Sequence, residues 1–151
     1  MKQWVILVIL CVVPVWANQN LAFHQESQNI YVGIHPAFGS YGSVGVSGVY
    51  ERGVINDMFS HGGEVKLHVG GFGMAGLYRF NFHPFGVPDA NVEVADVMDF
   101  YTGLSTGLWL SNRVGFMFSP MIGTKYYFTD TIGGWFEVDF YGIDLGIAIV
   151  L

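Results

Sequence analysis

The sequence predicts an all-β fold: a closed antiparallel up-and-down barrel of about eight strands, with its apolar face turned outward to lipid. Three observations predict it. The chain is 52% hydrophobic and 12% charged, against about 25% charged in an ordinary soluble domain. Beyond the first residues no apolar run is long enough for a membrane helix, which needs about 20 residues. Large apolar residues instead alternate with small or charged ones, the period-two pattern of strands.

The amino terminus reads as an export signal. Met1-Lys2-Gln3 carries one positive charge, an apolar run follows from Trp4 to Val15, and Val15-Trp16-Ala17 puts small residues at the −3 and −1 positions of a cleavage site. Residues 1–17 are therefore expected to be a signal peptide, residues 18–28 a flexible leader and residues 29–151 the barrel. A retained anchor is the alternative, but Pro14 and the short run argue against it. Cys11 is the one cysteine and lies inside the signal, preceded by Leu10 where a lipoprotein signal wants a small residue. The exported part then has no disulfide and no thiolate chemistry, and must draw its stability from elsewhere, such as closure in lipid.

Six Lys+Arg face twelve Asp+Glu, a net charge of −6. That balance disfavours nucleic acid as a partner and provides no polybasic patch for anionic membranes.

The alternation is cleanest at the end of the chain. Ile143, Leu145, Ile147, Ile149 and Leu151 share one face; Asp144, Gly146, Ala148 and Val150 share the other. The same parity runs through 30–38, 43–52, 64–69, 73–82, 100–110, 121–128 and 134–141, which makes about eight strands. The length accommodates eight crossings of about 9–11 residues and leaves almost nothing for the turns of ten. The longer connections fall at 53–63 and 84–98, the second acidic and with a possible short helix at 92–98.

Side-chain size decides which face points in. The charged face also carries Gly, Ala and Ser, which suit a narrow lumen, whereas the large aliphatic and aromatic residues suit acyl chains. A soluble periplasmic ligand-binding barrel would have the opposite sense, with its apolar face inside.

Three segments end alike: Gly48-Val49-Tyr50-Glu51-Arg52, Gly76-Leu77-Tyr78-Arg79-Phe80 and Gly123-Thr124-Lys125-Tyr126-Tyr127-Phe128. If strands alternate in direction, these are the second, fourth and sixth, and their endings meet one interface. Tyr50, Tyr78, Phe80, Tyr126 and Phe128 then form an aromatic girdle. Both longer connections would lie at that same rim, the periplasmic one, and the external loops would be very short.

The stretch Gly123–Asp130, followed by Gly134-Trp135-Phe136-Glu137-Val138-Asp139-Phe140-Tyr141-Gly142 and Leu145-Gly146-Ile147, resembles the small outer-membrane β-barrel family of the outer-membrane protein A or opacity-protein type. The resemblance covers the last third well and the rest only as a pattern. It implies the barrel fold, a bacterial outer-membrane address and assembly by the outer-membrane assembly machinery. Members usually finish on an aromatic residue read by that machinery; here position 151 is Leu.

The predicted lumen holds His35, Glu51, Glu64, Lys66, His68, Arg79, Lys125, Glu137, Asp139 and Asp144. A turn centred near Thr131 would set Lys125 opposite Glu137. These charges are expected to pair and plug the barrel, which at eight strands is just wide enough for side chains. A small binding cavity or an ion path is the sharper alternative. No metal site is expected from two histidines on different strands, and no cofactor: Gly70-Gly71-Phe72-Gly73 lacks the strand-to-helix context of a phosphate loop. His24, His61 and His83 fall in the leader or connections and show no ligand spacing. A hydrolase would need a serine beside a histidine oriented by a carboxylate; Ser40, Ser43, Ser47, Ser60, Ser105, Ser111 and Ser119 are the candidates, and no motif of the known barrel acylhydrolases or acyltransferases is present. The leading expectation is a non-enzymatic outer-membrane barrel with a structural or surface-interaction role, its partners being membrane lipid and the assembly machinery. A narrow porin-like channel or carrier, a lipid-modifying enzyme and the soluble binding barrel are the alternatives.

Overall fold

The computed structural model describes residues 23, 26–37, 43–69, 73–86 and 93–151. The expected signal peptide, most of the leader, His24, Phe38 and Ser40 lie outside them. Among the described residues, eight strands pair in sequence order and close into an antiparallel barrel. They are β1 (Gln28–Pro36), β2 (Val44–Ile55), β3 (Phe59–Val69), β4 (Gly73–Phe82), β5 (Met98–Leu110), β6 (Val114–Tyr127), β7 (Ile132–Asp139) and β8 (Ile143–Val150). The ring is sealed by β1 against β8, from Asn29 opposite Val150 to Ile34 opposite Leu145.

Burial follows the alternation with the sense reversed from a soluble protein. Val32, Leu108, Phe116 and Ile147 are each more than half exposed. Glu51, Arg79, Lys125, Glu137 and Asp144 are fully buried inside. Tyr31, Tyr101, Tyr127 and Trp135 pack with Val49 and Ala148 into the lumen's main apolar cluster. Glycine makes room for these rings. A Cβ on Gly123 would stand 2.4 Å from the Tyr101 ring and hydroxyl.

Four strands, β2, β3, β5 and β6, run longer than the alternation suggested. Residues 53–63 are not a connection: β2 continues to Ile55, β3 begins at Phe59, and only Asn56–Met58 turn between them. Gly53, Gly62 and Gly63 look like turn signals but lie within the ladder, which is bulged between Gly53 and Ile55. A Cβ at Gly62 would fall 1.8 Å from the Tyr50 carbonyl oxygen, so close strand approach requires glycine there. β6 starts at Val114 and carries Pro120 in its interior. The β7 ladder stops at Asp139 opposite Met121, so Pro120 lies just beyond it on that side. There the Phe140 N–H donates to Ser119 Oγ at 2.9 Å instead.

The hairpin turns are closed by side chains. Asp139 Oδ1 accepts the N–H groups of Tyr141 (2.6 Å) and Gly142 (2.7 Å) between β7 and β8. Thr129 Oγ1 accepts the Ile132 N–H at 3.1 Å between β6 and β7. The longest described gap between strands separates Phe82 from Met98 and includes single 3-10 turns at Pro84–Gly86 and Glu93–Asp96, the latter where a short helix was expected. It shares a rim with the turn between β2 and β3, and with both described chain ends.

Candidate functional site

All ten residues expected in the lumen point inward and are buried, His68 the least so at 9% exposure. They form three layers along the barrel.

Near the rim where the chain ends lie, Glu51 of β2 is the hub. It accepts hydrogen bonds from Tyr31 Oη and Ser60 Oγ, from Asn81 Nδ2 at 2.9 Å and from Lys125 Nζ at 3.1 Å. His83 Nε2 is 3.1 Å from the same carboxylate, and His83 Nδ1 is 2.9 Å from Asp99 Oδ1. Lys125 Nζ also pairs with Asp99 at 2.7 Å and lies 5.0 Å from the centres of the Tyr31 and Tyr101 rings. Phe23 stacks flat on the His83 imidazole at 3.7 Å, so the leader contributes one buried ring to this layer.

In the middle, Arg79 of β4 reaches Glu137 of β7 at 2.5 Å and Glu64 of β3 at 3.4 Å. Tyr101 Oη donates to Glu137 at 2.6 Å and accepts the Trp135 indole N–H at 2.7 Å. Towards the other rim, Lys66 of β3 binds Asp139 at 2.5 Å, Asp144 at 3.0 Å and Glu64 at 3.2 Å. His35 Nδ1 meets Asp144 at 2.9 Å. Ser43 Oγ meets His68 Nδ1 at 3.2 Å, and the His68 ring packs edge-on against His35 and Trp109.

Lys125 does not face Glu137. The β6–β7 register is centred one residue earlier than expected: Lys125 pairs with Trp135, and Glu137 pairs with Gly123. The long Lys125 side chain therefore crosses the lumen to Glu51 and Asp99, while Glu137 takes Arg79.

Sequence reasoning missed His83 and Asp99, which it placed in a connection, and did not name Asn29 or Asn81; the alternation did put Tyr31, Tyr101 and Tyr127 on the inner face. His83 is 1% exposed and lies one residue past β4; Asp99 is the second residue of β5. Parity was the available signal, since 79, 81 and 83 share a face and so do 99 and 101. The proline after His83 hid it.

Three groups of potential ligand atoms come within 4.8 Å of one another at His35, Asp139 and Asp144. Lys66 Nζ touches both of those carboxylates and lies 3.5 Å from His35 Nδ1, so a tethered ammonium already fills the cation position. Six buried carboxylates (Glu51, Glu64, Asp99, Glu137, Asp139, Asp144) face three buried Lys and Arg side chains, so the interior is acidic and opposes anions.

No protein-family model matches this chain. No curated protein matches it. Among solved structures it is similar to a chain described as "De novo design of transmembrane beta-barrels", with a TM-score of 0.70 and 11% identity, over 86% of this chain and 99% of the other. At that identity the likeness shows the fold: a closed eight-stranded antiparallel barrel, with a transmembrane barrel as its structural neighbour.

The layers predict two outcomes. Arg79→Ala strips Glu137 and Glu64 of their guanidinium, and removing one partner of a buried pair costs about 3–5 kcal/mol. Urea titration of the folded barrel should show a loss of that size, and an unchanged midpoint would refute the pairing. His83 lies outside the strands. Burial disfavours its charged form, but Asp99 and Glu51 outweigh that and hold its pKa above the ordinary histidine value. The stabilisation this brings is complete below the unfolded value of about 6.5 and is lost as pH rises through the raised folded value. An NMR titration should place the His83 midpoint above the ordinary histidine value, and Asp99→Asn should lower it.

Proposed function

We propose that this chain is a bacterial outer-membrane β-barrel of the outer-membrane protein A or opacity-protein type, with a non-enzymatic structural or surface role. One observation carries the reading: the faces are inverted. The belt of exposed Val, Ile, Leu and Phe runs round the barrel, while every charged residue of the strands but Arg52 lies inside it. A soluble protein rarely leaves so wide an apolar surface to water, whereas lipid solvates it. The strands are 8 to 14 residues long, a spread that brackets the about 9–11 residues of a tilted crossing. The expected signal peptide would supply export, and the assembly machinery would supply insertion.

A channel is the poorer reading because the lumen is filled. Tyr31, Tyr101 and Trp135 span its width, and the ion pairs bridge strands that are not neighbours, such as β3 to β8 and β4 to β7.

One observation favours a second reading, acyl transfer. Ser60 Oγ stands 2.9 Å from His83 Nε2, whose Nδ1 stands 2.9 Å from Asp99 Oδ1. That is the order of contacts in a serine hydrolase triad. Three facts weigh against it. Ser60 already donates to Glu51; His83 is biased towards its charged form, which has no lone pair to take a proton; and the Phe23 ring covers the imidazole.

The test of the main reading is to dilute residues 18–151 from urea into plain buffer and into detergent micelles. A β-sheet circular dichroism spectrum that develops only with detergent is expected, followed by no conductance in planar bilayers. A folded monomer in plain buffer would mean that the apolar face does not need lipid. The acyl-transfer reading is tested with a fluorophosphonate, which reacts with activated serines. Ser60 should remain unlabelled in the folded barrel; labelling that is lost in Ser60→Ala would establish a nucleophile.

A further inference from the structure

The outer surface is not uniform. On the lipid-facing side of β1 to β4 an open groove of about 780 Å³ is cut into the belt. The strand registers explain it. One row across the sheet reads Val32, Gly48, Val65, Gly76, and the next reads Ile30, Tyr50, Gly63, Tyr78. Three outward glycines thus stand close together on this face. A Cβ on Gly48 or Gly76 would meet nothing within 4 Å, and on Gly63 only the Leu77 carbonyl oxygen at 4.0 Å, so packing does not require glycine at any of the three.

The groove has a polar end. The third row, one step nearer the rim that holds the chain ends, reads Gln28, Arg52, His61, Phe80. Tyr50 Oη donates to Gln28 Oε1 at 2.9 Å, and Tyr78 Oη lies 3.0 Å from His61 Nδ1. The two hydroxyls thus reach towards this row while their rings wall the groove. Arg52 is exposed, and no carboxylate pairs with it among the described residues. The outward positions of β1 to β4 carry no acidic residue. Lys66, Arg79 and Lys125 are all spent inside, so among the described residues Arg52 and Arg113 are the Lys and Arg side chains outside the lumen, and Arg113 sits in the β5–β6 turn at the opposite rim.

We propose that this face is a binding site for an anionic phospholipid. Resting on the reading that the belt faces a bilayer, it assigns the groove to an acyl chain lying over Gly48, Gly63 and Gly76 between the Tyr50 and Tyr78 rings. The phosphate lies against Arg52 and His61. Guanidinium binds phosphate through two parallel hydrogen bonds, and tyrosine suits the boundary because its ring is apolar and its hydroxyl polar. Charge complementarity selects an anionic lipid over a second copy of the chain, since the outward rows of β1 to β4 carry Arg52 and no carboxylate of their own to meet it.

The experiment is native mass spectrometry of the full barrel, refolded in micelles containing equal phosphatidylglycerol and phosphatidylcholine. Circular dichroism of the same sample reports folding. The wild type should retain phosphatidylglycerol over phosphatidylcholine by about fivefold, the scale of one basic side chain at an anionic surface. Arg52→Gln should abolish the preference while keeping some lipid. Gly63→Leu with Gly76→Leu, both at exposed positions, should fold and retain neither lipid. Equal retention of both lipids by the wild type, or retention unchanged in the double variant, would overturn the site. So would a lipid-free dimer that Gly63→Leu dissolves, which would make the occupant a second copy. A chain that folds as a monomer without detergent would overturn the membrane reading and this site with it; a barrel that folds only in micelles but shows no lipid preference would overturn the site alone.

Discussion

A ring of eight strands encloses a space that side chains fill, and any charge placed there must be neutralised by another across the ring. Much of this structure answers that constraint. Glu51 alone is contacted by side chains from β1, β3, β4 and β6, together with His83. Arg79 and Lys66 do the same work further along, each between carboxylates from different strands. Lys125–Glu51, Arg79–Glu137 and Lys66–Asp139 tie together strands that no backbone ladder joins, so the network holds the cross-section of the barrel as well as its charge balance. Glycine and aromatic residues complete the fit, as where the Tyr101 ring lies over Gly123.

The same constraint explains why the outside carries so little charge. Among the described residues three of the five Lys and Arg side chains are committed to the lumen, which leaves the belt apolar except at its rims. The ion pairs reinforce the interior, whereas side chains in the outward rows can differ without disturbing that network.

Much of this could be read from the residues, because a two-residue period leaves an unmistakable record. Ile143 to Leu151 alternate without a break, and every lumen charge named from parity is placed inward. The losses have physical causes. Gly53, Gly62 and Gly63 resemble a loop, yet they serve strand crossing and the outer groove; composition cannot separate a glycine that turns from one that makes room. β6 begins seven residues before the alternation showed it, and Pro120 is tolerated inside it because it sits beyond the end of the β7 ladder. His83 and Asp99 were assigned to a connection because Pro84 follows so closely. Partner choice inside the ring was the least legible part. A one-residue change in hairpin centre sent Lys125 across the lumen to Glu51 and Asp99, and nothing local to β6 and β7 announces that destination.

The pairing of β1 with β8 has a consequence for how the chain reaches this state. That seam joins Asn29 to Val150, nearly the full length of the described chain, and contacts so distant in sequence are the slowest to form. The seam also completes the charge network: Asp144 on β8 meets His35 on β1 and Lys66 on β3. An open sheet of seven strands would carry bare edges and would leave Lys66 with one fewer counter-charge. Partial structures are therefore penalised twice, once in backbone hydrogen bonds and once in electrostatics. Assembly should be close to all-or-none, with strand β8 acting as the latch.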